Sequence, residues 1–331
     1  MNTNRRTTVT TLAAAALLAG AAPVWAQQKT VSVYTAHRAD IVDKLIPEFE
    51  KATGIKAEVV KAGSGDIINR VKAERNNPQA DVIWSIGGEL LEANKDLLEP
   101  YRPKELDQID PAFISSDVWI PYTGIVTVFM VNKNKLKPEA YPKTWLDLAK
   151  PEFKGQISSA GADKSGSAYI QLATFLTIYG DTDEGWDKYA TILKNFAIAG
   201  SSGAVPRFVN DGEAAVGLTL EDNAYNYVKG GGPVDIVYPA DGTSALADGM
   251  ALVKGARHPD TGKAFIDWAL SAAVQDVGVQ ELGRRPIRKD GKPLAGLKPL
   301  SEIKLVDYDI TWAGENREAF LEKWNDLLLA R

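Results

Sequence analysis

The chain of 331 residues contains no cysteine and only two histidines. The absence of cysteine excludes disulfide bonds, thiolate nucleophiles and a lipid anchor attached through cysteine. Because 38 basic residues face 43 acidic ones, the formal net charge is −5, and no excess of basic residues favours a nucleic acid partner. No motif of the GxSxG, HExxH, Walker A or GxGxxG type occurs. These absences argue against an enzyme and favour a binding protein.

The first 26 residues predict a removable export signal. Arg5 and Arg6 precede an apolar run over residues 12–22, and the small-residue sequence VWA ends at Ala26. The run is too short to span a bilayer, and no later segment is long and apolar enough to do so. We therefore expect a periplasmic protein without membrane insertion, exported by the general secretory route or, given the paired arginines, by the twin-arginine route.

The sequence after this signal alternates predicted strands and helices. VSVYTA, KAEVVKA and ADVIWS are predicted strands, and a helix with one apolar face is predicted over 39–53, with Gly54 as its stop signal. Asp66 is expected to cap the next helix, and a third helix is expected near 89–98. Such alternation predicts an α/β fold in which a mostly parallel sheet is flanked by helices.

The chain is too long for one ordinary core, so two lobes with a ligand cleft between them are predicted. The β-rich run TGIVTVFMVNK is expected to cross between the lobes, and GMALVKGA is expected to return. The predicted N-terminal lobe comprises residues 28–122 and about 246–290. The C-terminal lobe, with the crossing strands, comprises about 123–245 and 291–331.

The residues that directly follow the predicted strands are rich in serine, threonine and glycine. Ligands of open α/β sheets bind at the carboxyl ends of strands, where helix N-termini and hydroxyl groups suit an anion. The same residue types are also ordinary helix caps, and both interpretations stay open here. The predicted ligand-binding residues are Thr35, His37, Arg38, Ser64, Gly65, Asp66, Ser85, Gly87, Ser165, Gly166, Ser167, Thr219, Glu221, Asp222 and Thr243.

Four segments, taken in order and spacing, carry a resemblance to a known family. They are VYTAHRADI…FEKATGIKAEVV, RVKAERNNPQADVIWS, VPRFVNDGEAAVGL and GMALVKGARHPDTGKAFIDWALS. With them the chain resembles the periplasmic substrate-binding proteins of ABC importers, in the branch that contains the ferric-binding proteins. The resemblance implies two α/β lobes that close on a ligand like a hinge. It also implies an inner-membrane ABC permease as partner, a monomer and no cofactor.

The resemblance also allows a test for an iron site. Ferric-binding members hold iron through a histidine or acid in the first loop, an acid after the third strand and two adjacent tyrosines after the DGEAAVG strand. This sequence has His37 in the first loop, but Ile86 replaces the acid, and Glu221 and Asp222 replace the tyrosines. Two tyrosines follow later in the predicted helix, Tyr225 and Tyr227. We therefore expect no metal site.

A phosphate site fits the resemblance better than iron does. The helix start that cradles phosphate in ferric-binding relatives is matched by Ser165, Gly166 and Ser167, and Arg38 is expected to add donors from the other lobe. Glu221 and Asp222 would then accept hydrogen bonds from sugar hydroxyls or an amine. The expected ligand is a small anionic, phosphorylated organic solute, either a sugar phosphate or an aminoalkylphosphonate, delivered to an ABC permease.

Other interpretations stay open at this point. Within the binding class they are ferric iron, thiamine or its phosphates, and polyamines. In a different class, an exported hydrolase or lyase would use His37 with Asp66 or Glu221. Three aromatic residues near the predicted cleft are expected to pack in the core rather than to wall the cleft, namely Trp84, Trp119 and Tyr122.

Overall fold

The computed structural model describes residues 29–331, so the predicted export signal lies outside the described residues. Within 29–331, no helix has both the length and the apolar composition that crossing a membrane requires. The strands are β1 Thr30–Thr35, β2 Lys56–Lys61, β3 Val82–Gly87, β4 Leu98–Glu99, β5 Ile120–Asn132, β6 Ile157–Ala160, β7 Phe196–Ala199, β8 Val216–Leu220, β9 Val234–Val237 and β10 Ala245–Val253. The α-helices are α1 Ala39–Thr53, α2 Ser64–Glu74, α3 Gly88–Glu92, α4 Gly166–Tyr179, α5 Asp183–Leu193, α6 Ala204–Asn210, α7 Glu221–Lys229, α8 Pro259–Leu270, α9 Ala272–Gln280, α10 Ile310–Glu315 and α11 Arg317–Leu329.

These strands form one continuous hydrogen-bonded path in the order β2-β1-β3-β10-β5-β8-β6-β7. Strands β2, β1 and β3 run parallel, as do β8, β6 and β7. Two antiparallel strands, β10 and β5, lie between these parallel groups. The α/β fold with helices flanking the sheet is thus as the sequence predicts, but the sheet is mixed rather than mostly parallel, because β10 and β5 pair antiparallel with their neighbours.

Strand β5 connects the two sheets. Its first part, Ile120–Val126, pairs with β10, and its second part, Thr127–Val131, pairs with β8. The run TGIVTVFMVNK therefore crosses between the lobes, as expected. All thirteen residues of β5 are buried, which explains why its sequence reads as a continuous apolar run rather than as an alternating one.

Separate hydrophobic cores lie on the two sides of this crossing. The first lobe packs Phe49, Trp84 and Phe265 against one face of its sheet, and a second group with Ile68 and Leu90 covers the other face. The second lobe has one large core. It includes Phe129, Trp145, Phe175, Phe320 and Trp324. The predicted residue boundaries of the lobes stay a prediction.

The three aromatic residues near the cleft lie in these cores, as expected. Trp84, Trp119 and Tyr122 are each no more than 2% exposed. Trp84 and Tyr122 pack edge to face with ring centroids 5.7 Å apart. Their burial leaves the cleft without an aromatic wall from these positions.

Two predicted helices differ from the structure at their ends. The N-cap of helix α2 is Gly63, three residues before the predicted cap, so the helix begins at Ser64 and Asp66 lies in its first turn. The helix predicted near 89–98 ends already at Glu92, and a 3₁₀ turn over Lys95–Leu97 leads into β4. The pairing of β4 with β10 ends this helical segment, because a long-range pairing overrides the local helical pattern.

Candidate functional site

A cavity of about 580 Å³ lies between the two lobes. The first lobe contributes the loops that follow β1, β2 and β3, and the second contributes the loops that follow β6, β7 and β8. All six loops leave the carboxyl ends of strands in the two parallel groups. This is the position in which open α/β sheets bind ligands.

The N-termini of helices α2 and α4 meet at this cavity from opposite lobes. Ser165 caps α4 by accepting a hydrogen bond from the backbone N–H of Ala168 at 3.2 Å, and its Oγ lies 3.0 Å from that of Ser167. A Cβ at Gly166 would lie only 2.8 Å from Oγ of Ser64, in the first turn of α2. The positive ends of two helix dipoles and three serine hydroxyls therefore lie close together, an arrangement that suits an anion.

Glycines allow the two lobes to touch beside these helix ends. A Cβ on Gly63 would lie 2.5 Å from the carbonyl oxygen of Lys164, and one on Gly65 would lie 2.8 Å from that of Asp163. Real Cβ atoms essentially never approach an oxygen so closely. The absence of side chains at 63 and 65 therefore permits the closed arrangement of the lobes.

An ion pair joins the lobes on another side of the cavity. Arg38, in the loop after β1, donates from Nη1 to Oδ2 of Asp222 at 2.6 Å and also to Oδ1 of Asn223. Arg284 donates to the same Asp222 oxygen at 3.2 Å and to Asp248. Burial would raise the pKa of Asp222, but the charges of Arg284 and Arg38 outweigh it and hold this pKa below its ordinary value.

This ion pair changes the role expected for Arg38 and Asp222. Arg38 reaches across from the first lobe, as expected, but its guanidinium binds a carboxylate of the protein. Asp222 in turn has one oxygen engaged by two arginines, whereas Oδ1 is buried and has no hydrogen-bond partner within residues 29–331. The pair therefore connects the lobes, and Oδ1 alone is available as an acceptor for a ligand.

His37 lines the cavity beside Arg38. Its ring packs edge-on against Trp84 at a centroid distance of 4.5 Å, and its Nε2 has no hydrogen-bond partner among the described residues. Burial, together with the charges of Arg284 and Arg38, lowers its pKa well below the ordinary value. The pKa and the contacts together favour a neutral imidazole whose Nε2 is free for a ligand.

Ser85 holds an unusual backbone conformation at the cavity. Its φ of 59° lies in the left-handed region, where non-glycine residues are uncommon and store strain. The hydroxyl of Ser85 donates to Asp248, and β10 shifts its register against β3 next to this position. The network formed by Arg284, Asp248 and Ser85 thereby supports the floor of the cavity.

Ten of the predicted site residues line the cavity. They are His37, Arg38, Ser64, Asp66, Ser85, Gly87, Ser165, Gly166, Ser167 and Asp222. Their side chains or backbones come together because they follow neighbouring strands in the two sheets. Their contacts with a ligand stay a prediction.

The other five predicted residues lie outside the cavity lining, and four of them direct their side chains to partners inside the protein. The hydroxyls of Thr35 and Thr243 donate to the carbonyls of Trp84 and Thr127, and that of Thr219 accepts from the side chain of Asn223. Gly65 faces the second lobe, as described above.

Glu221 is the fifth residue outside the lining. It is 1% exposed and accepts two hydrogen bonds from Arg285, at 2.6 and 2.7 Å, and one from the hydroxyl of Tyr238. Its carboxylate is therefore fully engaged, and the structure corrects the expectation that it faces a ligand. The neighbouring Asp222 does line the cavity.

Several residues of the cavity are not among the predicted ones. Lys164 and the loop 200–203 follow β6 and β7, at strand ends that the same rule identifies from the sequence. Arg284, Asp248 and the α11 residues Trp324 and Asn325 carry no local signal, since they reach the cavity only through long-range packing.

The residues considered for iron do not assemble into a metal centre. Within residues 29–331, no group of three histidine, aspartate or glutamate side chains is arranged to hold a metal ion. Tyr225 donates its hydroxyl to the carbonyl of Ala295, and Tyr227 packs against a small core that contains Val209. Ile86 is buried in the first lobe.

Comparisons with known proteins agree with this architecture. The family described as bacterial extracellular solute-binding protein matches residues 44–298. The chain is 30% identical to the putative 2-aminoethylphosphonate-binding periplasmic protein of Salmonella typhimurium, over 82% of each protein. The periplasmic binding protein AfuA of Actinobacillus pleuropneumoniae, solved with exogenous fructose 6-phosphate bound, is 27% identical over 92% of this chain and 100% of that one, with a TM-score of 0.85.

A further structure shares the fold alone. Iron-bound HitA of Pseudomonas aeruginosa is 23% identical, with a TM-score of 0.80 over 90% of this chain and 99% of that one. The two-lobe fold and the resemblance inferred from the sequence are thereby confirmed. The chain belongs to the bacterial extracellular solute-binding proteins, and it is a periplasmic solute-binding protein of the ABC importer type.

Proposed function

We propose that this protein binds a small phosphorylated or phosphonylated organic solute in the interlobe cleft and delivers it to an ABC permease. The observation that carries the proposal is the meeting of the α2 and α4 N-termini at the cavity. There, Ser64, Ser165 and Ser167 offer hydroxyls beside the free backbone N–H groups of two first turns. A tetrahedral group with three anionic or acceptor oxygens matches such a set of converging donors.

The charges of the lining support an organic anion rather than a bare cation. Four basic side chains and four acidic ones line the cavity. Two of the acidic ones, Asp222 and Asp248, are already paired with Arg284. Few carboxylate oxygens are thus left for a metal ion or a polyamine, both of which require several.

The remaining free polar atoms suit the other end of the solute. His37 Nε2 and Asp222 Oδ1 are buried and without partners within residues 29–331, and both residues line the cavity. A hydroxyl group or an amine could satisfy them. A sugar phosphate has hydroxyls and an aminoalkylphosphonate has an amine, which are the chemistries named for the AfuA structure and the Salmonella relative.

A thermal-shift screen tests the proposal directly. A ligand that binds only the folded state raises the melting temperature, by an amount that grows with ligand concentration over its Kd. We expect fructose 6-phosphate, glucose 6-phosphate or 2-aminoethylphosphonate to raise it. Ferric citrate, spermidine and thiamine should leave it unchanged. A shift with one of these three alone would contradict the proposal and identify the corresponding alternative.

A pair of variants locates the anion site. Gly166→Asp places a carboxylate between the two helix N-termini and should abolish the shift caused by the phosphorylated ligand. Asn69→Asp adds the same charge on an exposed position of α2 and should leave the shift intact. Equal shifts in both variants would remove the anion site from this loop.

The enzyme alternative has no support in the contacts of His37. Its Nε2 has no partner among residues 29–331, and Glu221 is engaged by Arg285 and Tyr238. We propose that the solute leaves the protein unchanged, in the periplasm, after cleavage of the export signal, and that the protein acts as a monomer. Incubation with the best ligand, followed by analysis for free phosphate, should detect no turnover.

A further inference from the structure

A buried carboxylate and a half-buried guanidinium lie where helix α3 of the first lobe meets α10 and α11 of the second. Glu89 is 0% exposed, and neither of its carboxylate oxygens has a side-chain hydrogen-bond partner within residues 29–331. Arg317, at the start of α11, is half-buried, and its Nε and Nη2 are buried and without partners in the same part of the chain. The two opposite charges are therefore withdrawn from water without a direct hydrogen bond between them.

The surroundings of Glu89 come from the second lobe. Gly314 of α10 approaches so closely that a Cβ there would lie 2.6 Å from the Glu89 carbonyl oxygen. Tyr169 donates its hydroxyl to the carbonyl of Ala313, and the Arg317 guanidinium lies 4.9 Å from the Tyr169 ring. Tyr169 and Ala313 belong to the core of the second lobe, so separation of the lobes would return Glu89 to water.

The charged groups that face this pair are few. Arg317 acts on Glu89, the charge of Glu89 acts on the hydroxyls of Tyr169 and Tyr308, and Asp163 and Glu318 act on Arg317. The hydroxyl of Tyr308 is itself buried and without a partner among the described residues. Within this part of the chain, the backbone N–H of Glu89 and the charge of Arg317 oppose the burial of the Glu89 carboxylate, and Arg317 does so without a hydrogen bond.

An ion pair that is withdrawn from water without its hydrogen bonds destabilises the conformation in which it is buried, here the closed form. Removing a carboxylate and a guanidinium from water costs free energy that attraction alone recovers only with good geometry and full hydrogen bonding. We infer that Glu89 and Arg317 form a positioning pair that opposes lobe closure until Glu89 takes up a proton, and that they thereby make closure, and with it solute binding, stronger at acidic pH.

The titration of Glu89 supports this geometry. Burial raises its pKa to about 7, although its own backbone N–H and Arg317 act in the opposite direction. In the open form the carboxyl is in water, where its ordinary pKa is 4.5. Because the closed form binds the proton more tightly, closure is favoured below about pH 7 and opposed above it. Between pH 5 and pH 8 the ratio of closed to open protein should fall about seventyfold.

The absence of cysteine makes closure directly measurable in the ligand-free protein. Spin labels at Ala73→Cys on α2 and Lys194→Cys after α5 occupy exposed positions on the two lobes. Their distance distribution, measured by pulsed electron paramagnetic resonance at pH 5 and pH 8, reports the closed population. The inference rests on the hinge of the proposed binding mode, but the measurement contains no solute. A wrong choice of solute therefore leaves its result unaffected.

Three variants define the expected outcome. The wild type should gain short distances at pH 5, and Glu89→Gln should show the same distribution at both pH values. Arg317→Met removes the cation that opposes the raised pKa, so its transition should move to higher pH. Glu92→Gln, on the same helix but bonded to Lys95, Ser116 and Trp119, is the matched control and should behave like the wild type.

Two results would overturn the inference. One is a wild-type distance distribution that does not change between pH 5 and pH 8. The other is a pH response that persists in Glu89→Gln. If Glu89→Gln folds poorly, as shown by circular dichroism, the direction of the shift in Arg317→Met decides alone, and an unchanged transition there contradicts the coupling of the two charges.

Discussion

The contact between Gly65 and the second lobe predicts that replacing Gly65 by alanine will stabilise helix α2 but weaken solute binding. Gly65 lies in the first turn of α2, and its φ is not in the left-handed region. Alanine is therefore compatible with its backbone and should favour the helix by up to about 1 kcal/mol. Yet the new Cβ would lie 2.8 Å from the carbonyl oxygen of Asp163, which belongs to the backbone of the other lobe.

The close contact between the new Cβ and the Asp163 carbonyl is therefore expected to hinder closure of the lobes without destabilising the fold of either lobe. An ordinary contact of this kind is about 3.4 Å or longer, so the lobes must move apart by roughly 0.5 Å at this point. Overpacking of this kind costs about 1–3 kcal/mol where the neighbour cannot yield. We expect Gly65→Ala to weaken solute binding by about tenfold or more while the melting temperature of the ligand-free protein stays equal or rises.

Two measurements and one control test this reasoning. Thermal unfolding without ligand measures the effect on the stability of the fold, including helix α2. Calorimetric titration with the best phosphorylated ligand measures the affinity, which depends on closure of the lobes. Asn69→Ala is the control, because it also raises helix propensity in α2 but points into solvent. It should raise stability slightly and leave affinity unchanged. If Gly65→Ala binds as tightly as Asn69→Ala, the closed contact does not form around the ligand and the reasoning is refuted.

Three further predictions concern charge, acid and metal. Asp222→Asn removes the buried carboxylate that pairs with Arg38 and Arg284, and it should lower the free energy of unfolding by about 3 kcal/mol or more in urea titrations at pH 7. Asp40 also pairs with Arg38 but is 57% exposed, so Asp40→Asn should change this free energy by less than about 1 kcal/mol. The pKa of Asp147 is lowered to about 2, because hydrogen bonds from Lys150, Lys143 and Thr144 outweigh its burial. Its stabilising effect should therefore be complete above about pH 4 and be lost as the pH falls towards 2, and Asp147→Asn should abolish that part of the pH dependence measured by urea unfolding. Finally, the purified protein mixed with ferric citrate should stay colourless, and a tyrosinate-to-iron absorption band would contradict the engaged state of Tyr225.

Much of the fold could be predicted because its signals are local. Helix α1 buries Ile41, Leu45 and Phe49 at helical spacing and ends at Gly54, whose φ is 70°. Each of these features lies within one segment, so periodicity and a stop signal were sufficient. The end of the third helix was wrong because β4 pairs with β10, which lies about 150 residues later in the chain.

The site was partly predictable for the same reason. Strand ends identify loops such as 165–167 from the local pattern, and those loops do line the cavity. The local pattern does not identify the residue with which a side chain will pair. Asp222 lies 184 residues from Arg38, and nothing in the first loop indicates that a carboxylate will engage its guanidinium. Glu89 shows the same limit, since nothing in the local sequence GELLE indicates that the contact with α10 will bury this acid.

The same long-range pairing constrains how the cleft can recognise a solute. Arg38 and Arg284 share Asp222, and Asp248 engages Arg284 as well, so these charges neutralise one another before a ligand arrives. Recognition of the anionic end is then left to the hydroxyls and backbone N–H groups at two helix N-termini and to Lys61 and Lys164, which also line the cavity. The hydroxyls and backbone N–H groups do not titrate, so the pH dependence at this end should follow the second ionisation of the phosphate itself, with a pKa of about 6. The pH dependence of closure in the ligand-free protein should instead follow the burial of Glu89, and that difference separates recognition of the ligand from movement of the lobes.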